Sequence, residues 1–108
     1  MPTFIGYGRF TREAMRGMLQ TPEDRTEPVS KLFESLGGRL HGFWYAFGEH
    51  DGYTLWEAPD NVSMATVALA LSGGGALSAL DTTVLLTVDE TMDALRRVRD
   101  VGYRAPGS

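Results

Sequence analysis

Apolar residues in this chain fall into short continuous runs and helical stripes, a pattern that predicts a mixed α and β fold. The run Thr3–Gly8 is apolar and aromatic with two glycines, so it predicts a first strand that passes close to another backbone. The runs Arg39–Gly48 and Gly52–Ala58 predict a hairpin with a tight reversal at Asp51–Gly52. Leu77–Thr87 predicts a fourth strand.

Helical signals fill the segment between the first two strands. Thr11 caps a short helix, and Thr21 followed by Pro22 predicts the start of a longer one. The longer helix has the i, i+3, i+4, i+7 spacing of a buried stripe, at Val29, Leu32, Phe33 and Leu36. Pro28 removes a backbone donor within this segment, so we expect a kink or a new helix start there. The pair Gly37–Gly38 predicts the end of the helix.

Two further helices follow the hairpin and the fourth strand. Asp60 and Asn61 offer N-caps, and a second core helix follows with the stripe Met64, Val67, Ala68 and Leu71. Gly73–Gly75 predicts its end. Thr87 and Glu90 have the spacing of a capping box and predict a last helix. Its stripe consists of Val88, Met92, Leu95 and Val98.

The order of these elements, β-α-β-β-α-β-α, predicts an α+β domain of the ferredoxin-like kind, with a four-stranded antiparallel sheet and an extra C-terminal helix. We expect the ferredoxin-like part over residues 1–90, with the helix and tail of residues 91–108 packed on the same domain. The sheet face away from the helices carries apolar positions. Homodimerisation sheet to sheet would cover that face and predicts a dimeric α/β barrel.

Composition and charge narrow the class of protein. The chain has 108 residues, is 43% hydrophobic and 22% charged, and carries a formal net charge of -4, so it lacks the basic footprint of a nucleic-acid-binding protein. It has no cysteine, which removes disulfides and thiolate chemistry. No apolar run approaches the roughly 20 residues of a membrane span. We therefore expect a cytoplasmic protein without membrane or nucleic-acid partners.

Five short motifs stand out along the chain: Met1–Phe4, Leu36–Tyr45, Gly48–Tyr53, Trp56–Asp60 and Ala68–Leu71. In this order and spacing they resemble the motifs of the GYD-domain family. The resemblance covers about residues 1–90. It implies a ferredoxin-like fold related to dimeric α/β-barrel proteins, and for most members it implies no established activity.

One position departs from the pattern that gives the family its name. Its glycine, tyrosine and aspartate line up with Gly48, His50 and Asp51, so a histidine stands at the tyrosine position. This departure puts any role of a phenol there in doubt. It also places an imidazole beside a carboxylate, where proton transfer near neutral pH would be possible.

The two histidines are the candidate catalytic groups. His50 and Asp51 would serve as general base and orienting carboxylate if the turn folded over a pocket, and the alternative is an exposed turn in which Asp51 bonds to backbone. His41 and Glu57 lie on neighbouring predicted strands that would bring them together. The alternatives for this second pair are a structural contact or two unrelated residues at the sheet edge.

The aromatic hairpin is the candidate binding region. Six aromatic residues lie within it: Phe43, Trp44, Tyr45, Phe47, Tyr53 and Trp56. Alternation must send some toward the helices and the rest toward the open face, where they would form a dimer interface or line a barrel cavity. We take Phe43, Tyr45, Tyr53, Trp56 and Glu57 as the candidate ligand-binding residues.

Cofactor signals in the sequence are weak. Two histidines and carboxylates without a recognisable ligand spacing do not indicate a metal site, and nothing in the spacing calls for haem. Gly73–Gly75 leaves a helix and enters a strand, the reverse of a phosphate loop. The sequence therefore predicts a homodimer without a cofactor that binds or acts on a small apolar or aromatic molecule. The alternative is a non-enzymatic, self-associating module.

Overall fold

The computed structural model describes residues 1–107 of the chain, which contain four strands and four helices in the order β-α-α-β-β-α-β-α. The elements are β1 (Thr3–Phe10), α1 (Arg12–Gln20), α2 (Thr26–Ser35), β2 (Arg39–Tyr45), β3 (Gly52–Glu57), α3 (Asn61–Gly73), β4 (Leu77–Leu85) and α4 (Val88–Arg97), followed by a 3-10 turn, Val98–Asp100. None of the helices in this described part is long and apolar enough to cross a membrane.

The four strands form one antiparallel sheet in the order β2-β3-β1-β4, which confirms the predicted ferredoxin-like α+β fold. β1 lies between β3 and β4, where glycines permit close approach. A Cβ atom on Gly8 would lie 2.5 Å from the carbonyl oxygen of Ala79 on β4. The close backbone approach expected for the first strand is therefore confirmed.

The segment between β1 and β2 contains two separate helices. The hydroxyl of Thr11 accepts a hydrogen bond from the Ala14 N–H at 3.1 Å and caps α1 as predicted. The prediction that Thr21 opens the longer helix is wrong, since Thr21 ends α1 by donating its N–H to the Gly17 carbonyl. α2 starts instead just before Pro28. There the missing N–H falls in the first turn and costs no helical hydrogen bond.

The hydrophobic core lies between one face of the sheet and helices α2 and α3. Its buried residues are Phe4, Phe33, Trp56, Ala58 and Val67. The Trp56 ring centre lies 4.5 Å from that of Phe33 and 5.1 Å from that of Phe4. Residues of the two predicted stripes pack around this cluster: Val29, Leu32, Leu36, Met64 and Leu71. Both core helices therefore present the faces that their periodicity predicts.

The β2–β3 connection differs from the predicted tight reversal. It is a loop of residues 46–51, closed by a hydrogen bond from the Ala46 N–H to the Asp51 carbonyl at 2.8 Å. Gly52 is the first residue of β3 and does not have positive φ, so the type I′ geometry that favours Asp-Gly is not formed. The physical reason is that Asp51 bonds to β1 instead, as described below.

β2 contains a β-bulge at His41. Leu40 pairs with Trp56 on β3, whereas the next paired residue, Gly42, lies opposite Leu55. One extra residue in β2 shifts the alternation of side chains that follow it. As a consequence Phe43 lies opposite Thr54, on the helix side of the sheet.

α4 stands apart from the rest of the chain. Its capping box is formed as predicted, with the Glu90 N–H bonded to the Thr87 hydroxyl and the Thr87 N–H bonded to the Glu90 carboxylate. None of its residues is buried. The chain measures 59 × 33 × 22 Å with a radius of gyration of 17.5 Å, against about 13 Å for a compact domain of this length. The prediction that residues 91–108 pack on the domain is therefore not met by α4, whose apolar stripe is not buried within one chain, and Ser108 lies outside the described residues.

Candidate functional site

The sheet face opposite α2 and α3, here called the open face, carries the candidate site. Because side chains alternate along each strand, the registers place every second residue of β1, β3 and β4 on it. These residues are Thr3, Ile5, Tyr7, Tyr53, Leu55, Glu57, Asp81, Thr83 and Leu85. The face is thus apolar along its middle and polar toward its two ends.

The loop of residues 46–51 is fastened to the end of β1. The Asp51 N–H donates to the Gly8 carbonyl at 2.8 Å, and the Asp51 carboxylate accepts from the Phe10 N–H at 3.0 Å. The Arg9 guanidinium donates to the Glu49 carbonyl at 2.7 Å. These three contacts are made by Glu49 and Asp51, the residues on either side of His50 in the sequence. They hold the His50 side chain against the open face.

His50 meets the side chains of Tyr7, Tyr53 and Asp81 there, and Thr83 contacts Tyr7. We call this group, Tyr7, His50, Tyr53, Asp81 and Thr83, the His50 cluster. The imidazole is only 17% exposed, and its Nε2 atom lies 3.7 Å from the Asp81 carboxylate. Its ring packs edge-on against Tyr7, with ring centres 4.7 Å apart, and Tyr7 stacks on Tyr53 at 5.7 Å. The Tyr7 and Thr83 hydroxyl oxygens are 3.1 Å apart.

Asp51 is not the partner of His50, which corrects the pairing drawn from their adjacency. Its carboxylate bonds to the backbone of β1, so its contact is structural. Asp81 of β4 faces the imidazole instead. A separation of 3.7 Å is longer than a hydrogen bond, and the contact is an ion pair only when the imidazole is protonated. The aspartate that can orient His50 is therefore 31 positions away in the sequence.

His41 and Glu57 come together as the neighbouring strands predicted. The His41 Nε2 atom lies 3.4 Å from the Glu57 carboxylate, and the two side chains are 32% and 29% exposed. Glu57 pairs in register with Thr3 at the start of β1, whereas Tyr53 of the His50 cluster pairs with Tyr7. The open face thus has a histidine–carboxylate pair at each end.

The aromatic residues of the hairpin are divided between the two faces. Tyr53 and the exposed Trp44 lie opposite each other on the open face. Trp56 is only 3% exposed and belongs to the core, so it is not available as an open-face ligand contact. Phe43 lines a cavity of about 90 Å³ beneath the helices. The bulge at His41 is the reason, because without it Phe43 and Tyr45 would share the face of His41.

Tyr45 borders a groove on the helix side of the sheet, here called the α1 groove. It is lined by Phe10, Met15, Met18, Leu19, Tyr45 and Phe47, and has a volume of about 300 Å³. Glu23 and Asp51 add carboxylates to its lining. The groove lies at the end of β1, on the other side of the 46–51 loop from His50. The α1 groove and the His50 cluster therefore share that loop.

Sequence reasoning did not select Tyr7, Asp81 or Thr83 as site residues. One feature of the sequence could have identified Asp81 as a site residue. It is the single carboxylate in β4, whose other residues are apolar or carry hydroxyl groups. Among the described residues, no group of three side chains is arranged to hold a metal ion. The arrangement offers an imidazole with a carboxylate, two phenols and an aromatic surface, which suits binding and proton transfer.

Comparisons with known proteins give a family match. The family model of the GYD domain matches residues 4–95 of the chain. The chain is also similar to a solved structure described as an uncharacterized NIPSNAP domain protein from Burkholderia xenovorans, with a TM-score of 0.46 and 17% sequence identity, covering 82% of this chain and 95% of that chain. No curated protein matches the chain significantly.

Proposed function

This chain belongs to the GYD domain family, and we propose that it binds a small, flat organic molecule with an acidic hydroxyl group, such as a phenol or an enol, on its open face. The ring of the ligand stacks on Tyr7 and Tyr53, and its hydroxyl lies against the His50 imidazole. The observation that carries this proposal is the His50 cluster, where a largely buried imidazole, a carboxylate and two tyrosine rings converge.

The cluster would act as a general base with a hydrogen-bond donor beside it. Asp81 lies next to Nε2 of His50, so it favours the tautomer protonated at Nε2 and leaves the Nδ1 lone pair to accept a proton from the ligand. The carboxylate then stabilises the imidazolium that forms. The Tyr7 hydroxyl, oriented by Thr83, donates to the resulting oxyanion. Proton abstraction from an enol or phenol, with return of the proton elsewhere, is an isomerisation that needs no cofactor.

Enclosure of the ligand would come from a second copy of the chain. The apolar side chains Ile5, Leu55 and Leu85 continue the open face beyond the His50 cluster and support sheet-to-sheet pairing. A two-fold dimer is the commonest oligomer, and two facing sheets would leave an aromatic-lined space between them. Exclusion of water from that space would strengthen the charge contact of His50.

A second candidate function is a non-enzymatic module whose open face is filled by self-association. The observation that favours it is Phe47, whose side chain is 104% exposed at the tip of the β2–β3 connection and would suit contact with a partner protein. This function requires no ligand at His50.

The two candidates are separated by a binding experiment with 2-naphthol, a planar phenol, and 2-methoxynaphthalene, which lacks the acidic proton. We expect 2-naphthol to perturb the NMR signals of Tyr7 and Tyr53 in a saturable way. His50→Gln and Asp81→Asn should each lower the affinity for 2-naphthol about 5- to 10-fold, because each removes roughly 1 kcal/mol of hydrogen bonding. The matched control His41→Gln, at the other end of the face, should leave the affinity unchanged.

The methoxy compound tests the role of the proton. Its affinity should be the same for the natural protein and for His50→Gln, because it has no proton to share. Equal weakening of both compounds by His50→Gln would refute the general-base role. Absence of any saturable perturbation on the open face by either compound would favour the non-enzymatic module.

A further inference from the structure

Within residues 1–107, the apolar stripe of α4 is left exposed by the rest of the chain. Val88, Met92, Leu95 and Val98 are 78%, 43%, 59% and 64% exposed, respectively, although they recur at helical spacing on one side of the helix. An amphipathic helix of this kind normally buries its apolar face. A contiguous stripe of four large apolar side chains indicates a contact surface.

The α1 groove is the matching unfilled concave surface. Its lining is apolar and contains two methionines, which adapt their shape to an inserted helix. Leu19 and Phe47 at its border are exposed. α1 and α4 have nine and ten residues, so a helix the length of α4 can lie along the whole groove.

The α4 helix of the same chain lies at the wrong end of the sheet to fill this groove. β4 ends at Leu85, which pairs with Thr3 at the start of β1, and α4 follows after only two residues. The groove lies beside Phe10, at the end of β1. Seven strand steps of about 3.3 Å separate these two ends by roughly 23 Å. In the described residues, α4 therefore does not fill the groove of its own chain, which leaves the groove open to a second molecule.

We propose that α4 of a second copy of this chain docks in the α1 groove, apolar stripe inward, and that the exchange is reciprocal. A two-fold axis perpendicular to the strands brings the start of β1 in one copy over the end of β1 in the other. Each chain then uses one helix and one groove, and the assembly closes as a dimer. The inference goes beyond the proposed function, because it holds whether or not the open face binds a ligand.

Charge supports this occupant and sets its direction. The first turn of α4 carries Asp89 and Glu90, and its last turn carries Arg96 and Arg97. In its first half α1 carries two arginines, Arg12 and Arg16, and one carboxylate, Glu13, for a net charge of +1. Its end is followed by two carboxylates, Glu23 and Asp24, and by Arg25, for a net charge of -1. Glu23 is paired with Arg25 at 2.8 Å, and Arg97 of α4 is paired with Asp93 at 2.9 Å. Alignment of the two helices in the same direction places opposite charges together at both ends.

Docking would also act on the loop of residues 46–51. Ala46, Phe47 and Asp51 form one wall of the groove, while His50 points from the same loop to the open face. A helix in the groove would cover the exposed Phe47 ring and limit the movement of the loop.

The absence of cysteine makes the test direct. Leu19→Cys in the groove and Leu95→Cys on α4 are made in separate chains of different tag length, mixed and mildly oxidised. We expect the mixed disulfide between them at a yield at least 10-fold above that of Leu95→Cys with Val62→Cys, a control position on α3 with similar exposure, 76%. Equal yields for the two mixtures would overturn the proposal.

Light scattering provides a second, independent readout. The natural protein should have the molar mass of a dimer. Met92→Glu with Leu95→Glu should give a monomer with an unchanged circular dichroism spectrum, because pairing of the open faces without the α4 contact is then too weak to hold the two copies together. Glu23→Arg should weaken the dimer, and Arg96→Glu in the same chain should restore it. A monomeric natural protein, or a dimer that survives the α4 substitutions, would show that the groove takes a different occupant and would overturn the proposal.

Discussion

Asp51 holds the loop that carries His50, so Asp51→Ala should lower the free energy of unfolding. The substitution removes a carboxylate acceptor 3.0 Å from the partly buried Phe10 N–H. Hydrogen bonds to charged groups contribute about 1.5–3 kcal/mol, and the partial exposure of this one favours the lower end, about 1.5 kcal/mol. For a domain near 100 residues that loss lowers Tm by roughly 6–12 °C. Urea denaturation followed by tryptophan fluorescence measures it, because the buried Trp56 becomes exposed on unfolding whereas Trp44 is already exposed.

Two variants make this prediction specific. Asp51→Asn keeps a neutral acceptor oxygen and should lose about half as much stability. Asp81→Asn removes a surface carboxylate and should change the free energy of unfolding by less than about 0.5 kcal/mol. It should nevertheless weaken the binding of 2-naphthol. If Asp51→Ala left stability unchanged but abolished 2-naphthol binding, Asp51 would be the functional partner of His50, and the structural role of its carboxylate would be refuted.

The remaining predictions concern the core, the sheet and α4. Trp56→Ala should cost about 3–5 kcal/mol in urea denaturation, as expected for a buried aromatic side chain. Gly8→Ala should destabilise the sheet, because its Cβ would lie 2.5 Å from a backbone oxygen, whereas Gly17→Ala meets open space in α1 and should stabilise by about 0.5–1 kcal/mol. The Thr87 N–H lowers the pKa of Glu90, so α4 should lose amide protection as the pH falls through that lowered value, and Glu90→Gln should remove this step.

Each of these predictions can be contradicted by a specific experimental result. A loss below about 1 kcal/mol for Trp56→Ala would mean that the ring is not in the core. Equal stability changes for Gly8→Ala and Gly17→Ala would contradict the close approach of β1 and β4. The sign for Glu90 follows from its lowered pKa, which makes the cap stabilising above the ordinary value of 4.5 and lost below the folded value. Stronger protection of α4 in acid would contradict it.

Local signals in the sequence predicted most of the elements. The stripe at Val29, Leu32 and Phe33 identified the buried side of α2, and the spacing of Thr87 and Glu90 identified the start of α4. These patterns depend on residues within one or two turns, where the physical cause lies in the segment itself. The boundary near Thr21 was misplaced because proline after threonine also occurs where a helix has just ended.

The site depended on contacts that local patterns do not contain. Asp51 adjoins His50 in sequence but bonds to β1, and the imidazole partner Asp81 comes from a strand on the far side of β1. Which strands are neighbours is set by the packing of the whole sheet. The pairing of His41 with Glu57 could be anticipated because their strands form one hairpin.

The extra residue at position 41 decides which aromatic side chains of β2 lie on the open face and which face the helices. It places the Trp44 indole over the side of Gly42 that a Cβ would otherwise occupy, and it turns Phe43 and Tyr45 toward the helices. Shortening β2 by that residue would exchange the two sets, giving a different surface from the same amino acids. A chain with this bulge can therefore acquire a new binding surface through a change of length alone, with every aromatic residue retained.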